Sequence, residues 1–343
     1  MKACRLVALA LSTLAGSAAA LAQEPASSAA ASPSAGGGAG GAGGAGGAGG
    51  AISDRATFTF WDDRLHGDPE ILWPGFLNGM RGFEHFHEPI GQPLYFESPF
   101  INSNVRLVYL HHNFPDKSQL QGGDLHVVGA QARLALTDRL AFIATKDGHS
   151  WLNAGILQED DGWNDIAVGL KYALVVDKEA DLVITPGIRW EWSNGDNEVL
   201  QGGADEFSPF ISIAKGLDKL HLIGNMTVRV PEEEDDGNMI FSWDLHVDYD
   251  LGDVVKGFAP VLEIHGLHYL TDGTRLPLRV GGMDYDNFGS SDVAGTSVIW
   301  VGVGGRFRLS PHASLGATFE LPLTNRNSDI MDNRVTVDLT FTW

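Results

Sequence analysis

The chain has 343 residues, and 44 acidic against 23 basic side chains give it a formal net charge of −21. That acidic excess argues against a nucleic-acid partner, which selects a basic face, and against adhesion to anionic lipid headgroups. The single cysteine, Cys4, excludes a disulfide framework.

In chain order, residues 1–22 read as a secretory signal peptide. Lys2 and Arg5 are positive, Leu6 to Leu14 are apolar, and Ala20-Leu21-Ala22 is a small-x-small cleavage site that places the mature start at Gln23. The apolar stretch is too short for an anchor helix. Residues 23–51, Ala-, Ser- and Pro-containing and then runs of Gly-Gly-Ala, read as a flexible tether, because nothing there can bury apolar surface. Residues 52–103 are rich in aromatics, Gly, Pro and His, too apolar for a linker. They are expected to fold as a plug inside the structure that follows, or as a periplasmic segment under its rim. Within them His85, His87 and Glu88 raise a metal reading against the plainer one of polar surface.

From residue 104 onward apolar residues recur at every second position and helical periodicity hardly appears. Twelve strands are predicted, at 104–111, 124–136, 139–146, 164–176, 181–192, 207–214, 219–230, 239–250, 257–270, 296–309, 312–323 and 334–343. In the eighth, Phe241, Trp243, Leu245, Val247 and Tyr249 alternate with Ser242, Asp244, His246 and Asp248. A two-sheet sandwich alternates in the same way. Two features separate them. Most of these strands run well past the five or six residues or so usual in soluble domains, and about nine to eleven tilted residues cross a bilayer. The connections also take turns: short at 137–138, 177–180, 215–218, 251–256 and 310–311, long at 112–123, 147–163, 193–206, 231–238, 271–295 and 324–333. Short turns on one side and long loops on the other are the habit of outer-membrane barrels. The expected fold is therefore all-β, a transmembrane antiparallel β-barrel of about twelve strands over residues 104–343, with both ends on the short-turn side.

The chain closes on "RVTVDLTFTW", with Val335, Val337, Leu339, Phe341 and Trp343 on one face. An aromatic last residue after such alternation resembles the C-terminal insertion signal of bacterial outer-membrane barrels, which implies that the barrel-assembly machinery reads this strand and that the barrel lies in the cell outer membrane. "DGWNDIAVGLKYALV" (161–175) and "VGVGGRFRLSPHASLGATFELPLT" (301–324) further resemble a transporter-like barrel family associated with the phenol meta-cleavage pathway. Trp163 and Asn164 depart from that family's small pair before Asp165. The resemblance implies the barrel fold and passage of hydrophobic aromatic compounds.

If the apolar faces meet lipid, the polar faces line a lumen. Strand by strand this inward set holds Arg189, Glu191, Arg229, Asp244, His246, Asp248, Glu263, His265, Arg306, Arg308 and Glu320, together with Arg106, Arg133, Lys171, His221 and Asp338. A cross-strand charge ladder filling a narrow barrel and a polar path for solute both fit. Asp244, His246, Glu263 and His265 also raise a metal or hydrolytic reading, but no Ser stands convincingly beside them, and a bulge is expected near Gly266 that blurs which way the neighbouring side chains point. No catalytic residue, metal or cofactor is expected. The expected function is passive passage of small molecules, aromatic ones included. The alternative is a structural or surface-binding barrel with a closed lumen, and after that a barrel hydrolase. Outer-membrane lipid, the assembly machinery and a small-molecule solute are the expected partners.

Overall fold

A computed structural model describes residues 77–324 and 330–343. The signal peptide, the tether and residues 52–76 of the following segment lie outside the described residues.

The strands are β1 (Asn104–Asn113), β2 (Gly123–Ala135), β3 (Leu140–Lys146), β4 (His149–Ala154), β5 (Asp160–Trp163), β6 (Ile166–Tyr172), β7 (Val175–Asp177), β8 (Leu182–Trp192), β9 (Glu206–Leu217), β10 (Leu220–Pro231), β11 (Ile240–Tyr249), β12 (Phe258–Tyr269), β13 (Ser297–Ser310), β14 (Ala313–Pro322) and β15 (Asn333–Thr342). They make twelve staves, because β3 and β4 share one and β5, β6 and β7 another. Every pairing between these strands is antiparallel, and β1 pairs with both β2 and β15, so the sheet closes and leaves no edge. Asn104 lies opposite Thr342, which puts the start of the first stave and the end of the last at the same rim.

Local chemistry sets the short turns. The Thr137 hydroxyl accepts from the Arg139 and Leu140 amides at 3.1 and 2.9 Å, closing β2 onto β3. Asp181 and Asp218 occupy left-handed positions at φ 50° and 61° in the β7–β8 and β9–β10 turns, a conformation Asp tolerates better than most side chains.

Burial decides between barrel and sandwich. Leu107, Leu170, Val303 and Leu315 are 42–55% exposed, whereas Arg229, Asp244, Glu263 and Arg306 are at most 4% exposed. A water-soluble sandwich buries its apolar face; here the apolar face is outside and the charges are inside, the arrangement of a wall standing in lipid. Toward the long loops Trp151, Trp163, Trp192 and Phe207 are exposed, and toward the short turns Tyr172 and Tyr249 are, as two interfacial girdles require. Beyond the upper girdle the polarity reverses. Leu110, Leu125, Val127, Leu152 and Trp300 turn inward and pack with Val280, Met283, Tyr285 and Phe288 of the loop after β12 into an ordinary apolar core.

The expected boundaries need three corrections. The stretch 147–163 holds β4 and β5, an upward extension of two staves, and the third stave is interrupted at Asp147-Gly148. The fourth stave breaks at Ala173-Leu174 between β6 and β7. No bulge occurs at Gly266, whose pairing with Trp243 and Ile299 is in register on both sides. A Cβ there would stand 2.5 Å from the Trp243 ring, so the glycine accommodates a neighbouring indole. The register shifts lie at Ala144/Lys146 and Arg308/Ser310 instead.

Candidate functional site: the lumen and its inner hairpin

Residues 77–103 run inside the barrel as an irregular hairpin. Its tip is the turn at Gln92, whose carbonyl accepts from the Tyr95 and Phe96 amides at 3.2 and 2.9 Å, and its limbs are tied by Met80 N to Ile101 O at 2.7 Å. At the short-turn mouth Phe83, Phe86, Phe96 and Phe100 pack on Val183, Ala214 and Ile223. Further in, the hairpin meets the charged wall, and its contacts there are mostly polar.

Glu97 is the main anchor. Its carboxylate accepts from Arg133 Nε and Nη2 at 2.9 and 2.7 Å and from Lys171 Nζ at 2.7 Å. The Glu97 carbonyl accepts from Ser212 at 2.6 Å, and Lys171 also reaches the Ser98 carbonyl at 2.9 Å. Burial alone would raise the Glu97 pKa, but Arg133 and Lys171 outweigh it and hold the carboxyl well below the usual range. Farther up, the Tyr95 hydroxyl donates to Glu191 at 2.7 Å, and Arg189 and Arg229 stand over the Tyr95 ring at 4.8 and 4.4 Å. Arg229 is also bidentate to Glu206.

On the opposite wall the hairpin lies close against acids and imidazoles. The Ile90 and Gly91 amides donate to Glu263 at 2.7 and 2.6 Å. Glu263 also pairs with His246 Nδ1 at 2.7 Å, His246 Nε2 with Asp248 at 3.1 Å, and Asp248 with His221 at 2.8 Å. His265 Nδ1 pairs with Asp244 at 2.8 Å and stacks on Trp300, which donates to Glu320 at 2.9 Å. Arg306 bridges Asp338 to the Glu88 and Pro89 carbonyls, Arg106 joins Asp338 to the Ile90 carbonyl, and Arg308 reaches the Glu84 carbonyl. All sixteen residues of the inward set named from alternation thus face inward, and each contacts the hairpin, a wall partner that does, or an adjoining charge.

The inward set read from the sequence leaves out Lys146, Glu206, Arg334 and Glu97. Lys146 bonds Glu191, but the register shift at Ala144/Lys146 hides which way it points. Arg334 shares the inward parity of Thr336 and Asp338 and was legible; it binds Asp284 of the loop after β12 through two hydrogen bonds at 2.9 and 2.7 Å. That loop closes the upper lumen through Asn287 to Glu206 and the Met283 carbonyl to Arg229. Burial raises the Asp286 pKa to about 8 in the same loop.

The two metal readings do not assemble. Among the described residues neither Asp244/His246/Glu263/His265 nor His85/His87/Glu88 gathers three donor atoms about one point; the set that does is His111, Asp124 and His126. His85 instead pairs with Asp181 at 2.8 Å, and Glu88 accepts from Asn102 at 3.2 Å. His87 is buried beside Arg308, Arg306, Asp248 and His221; burial, then Arg308, lowers its pKa to about 3, so it is neutral at pH 7. A cavity of about 120 Å³ remains at the short-turn mouth, lined among others by Phe86, His87, Arg308 and Trp343. That is below the roughly 300 Å³ at which small-molecule pockets usually start.

A closed, lipid-compatible wall around a charged interior defines the class: a twelve-stranded antiparallel barrel of the outer-membrane type. Among solved structures, an outer-membrane channel from Pseudomonas putida F1 superposes at TM-score 0.54 with 13% identity, over 75% of this chain and 100% of that one. The NanC porin follows at TM-score 0.45, 11% identity, 70% of this chain and 100% of that one. The outer membrane protein OprD from Pseudomonas aeruginosa gives TM-score 0.33 and 10% identity over 71% and 92%. At 13% identity the first likeness is one of fold. No family model matches the sequence, and no curated protein matches it.

Proposed function

We propose that this chain is a passive channel of an outer membrane, closed in this conformation by residues 77–103, and that small molecules pass when the hairpin shifts. The observation that carries the reading is the chemistry of the contact. Beyond the aromatic cluster at the mouth, the hairpin is held by guanidinium, ammonium and carboxylate groups of the wall, many of them bound to its backbone. A wall of that kind is a water-compatible surface once uncovered, as a solute path requires. Outer-membrane lipid against the exposed Leu and Val girdle, and the assembly machinery acting on β15, are the partners that belong to this reading.

Aromatic solutes are the cargo the resemblance implies, and Arg189 supports them. Its guanidinium makes no hydrogen bond among the described residues and lies between the rings of Tyr95 and Phe210, at 4.8 and 5.3 Å. With Tyr95 displaced, it offers a cation to a ring or to an attached carboxylate. Competition by small aromatic acids, read as blockade of ion current in planar bilayers, tests this; loss of blockade in Arg189→Gln supports it, and blockade of equal strength in that variant sinks it.

A second reading, a barrel with a permanently closed lumen, is favoured by the density of ionic contacts around Glu97. Absence of current both from the full chain and from a properly assembled variant lacking residues 23–103 would establish it. A hydrolase is less favoured, because the hairpin tip sits directly on Glu263 and His265, with no room at Gly91 even for a Cβ.

A further inference from the structure

On the outer face of β1 and β2, beyond the level at which the wall turns from lipid-facing to water-facing, three side chains converge. The register sets His111 directly opposite His126, and Asp124 lies two residues before His126 on the same face. The imidazoles stack with centroids 4.3 Å apart and planes 1° from parallel. Both Nε2 atoms point at one carboxylate oxygen: Asp124 Oδ2 is 2.8 Å from His126 Nε2 and 3.4 Å from His111 Nε2. One donor atom from each residue lies within 4.8 Å of those of the other two.

We propose that His111, Asp124 and His126 form a site for a borderline divalent transition-metal ion, with Zn²⁺ as its natural probe. Two imidazole nitrogens and a carboxylate oxygen are the donor set such ions select over Ca²⁺ or Mg²⁺, which take oxygen shells. The orientation is fixed from behind. The Tyr109 hydroxyl bonds His126 Nδ1 at 2.8 Å, which commits Nε2 to the cluster, and Asn153 Nδ2 reaches the other Asp124 oxygen at 3.4 Å. The side chains are 27–36% exposed, so an ion has access from water. An open groove at the rim, lined by Asp116, Asp124 and Asp332, adjoins the site and draws cations toward it. Three protein ligands leave a fourth position to water or an incoming ligand. Bound metal would also clamp β1 to β2. The site is independent of whether the lumen conducts.

The test uses the full exported chain in detergent micelles, without a histidine tag. Co²⁺ is titrated by visible absorption and Zn²⁺ by calorimetry and by competition with Co²⁺. Expected are one saturable equivalent, displacement of Co²⁺ by Zn²⁺, and at least a tenfold loss of affinity in His126→Ala and in Asp124→Asn. Both variants are to retain the heat-dependent gel mobility of a closed barrel; Asp124→Asn keeps the side-chain shape should His126→Ala fail to assemble. His149→Ala, which removes the neighbouring pair with Asp161 at 3.3 Å, is expected to bind normally. No saturable binding to the assembled wild-type barrel, or undiminished affinity in either assembled site variant, overturns the proposal.

Discussion

Gly91 has no room for a side chain: a Cβ there would lie 2.7 Å from Glu263 Oε2, 2.8 Å from His265 Nε2 and 3.0 Å from Glu320 Oε1. Gly91→Val is therefore expected to lift the hairpin tip from the acidic wall at a cost of ~1–3 kcal/mol, the usual range for overpacking a filled site. A lower urea midpoint in detergent is the readout, and an unchanged midpoint would mean the tip is not seated there. Glu97→Gln removes the carboxylate that Arg133 and Lys171 both bond and leaves two buried cations poorly paired. Breaking a buried pair typically costs ~3–5 kcal/mol, so this variant is expected to lose more stability than Gly91→Val. The inward charges were legible because alternation fixes which way a strand side chain points. Their pairing with Glu97 was not, because residues 77–103 have no period that sets their register against the wall.

At the scale of elements, the hairpin carries its own acid sensitivity through His87. In place its pKa is about 3, against 6.5 when free, because burial and then Arg308 oppose its charge, with Arg306 and His221 adding to them and Asp248 opposing. The seated state therefore takes up this proton less readily than the released one. Its stability is full above pH 6.5, falls as the pH drops below that value, and levels off near 3. Opening, read as bilayer conductance, is expected to rise as the pH is lowered through that window, and His87→Gln to flatten the response; an unchanged response would assign it to other groups. The extension β4–β5 was missed for a related reason. In His149–Ala154 Leu152 and Ala154 face inward and Asn153 outward, the reverse of the rule that holds lower down, while Ser150 inside and Trp151 outside still follow it, and Asp, Gly and Trp at 160–163 read as loop. Above the girdle the solvent is water, so the sidedness of alternation inverts while its period remains.

For the whole molecule, strand number, loop parity and closure all followed from periodicity, because lipid on one side and a packed interior on the other force alternation over the full length of each stave. Val335, Val337, Leu339 and Phe341 line the outer side of β15, and Thr336 and Asp338 the inner, whereas Trp343, just past the strand, lines the cavity at the short-turn mouth. Removing Phe341 and Trp343 is expected to reduce the heat-shifted, membrane-inserted form without reducing synthesis or export, as fractionation and gel mobility would show. What no period encodes is the filling of the lumen, which depends on the irregular segments 77–103 and 271–295.

If the hairpin closes a lumen otherwise able to conduct, its removal opens the barrel. Single-channel recording in planar bilayers compares the full mature chain with a variant lacking residues 23–103, each first shown to be a heat-modifiable barrel. A mostly silent full chain and steady ohmic current from the truncated one are expected. A truncated barrel that assembles and carries no current would show that the lumen stays shut without the hairpin.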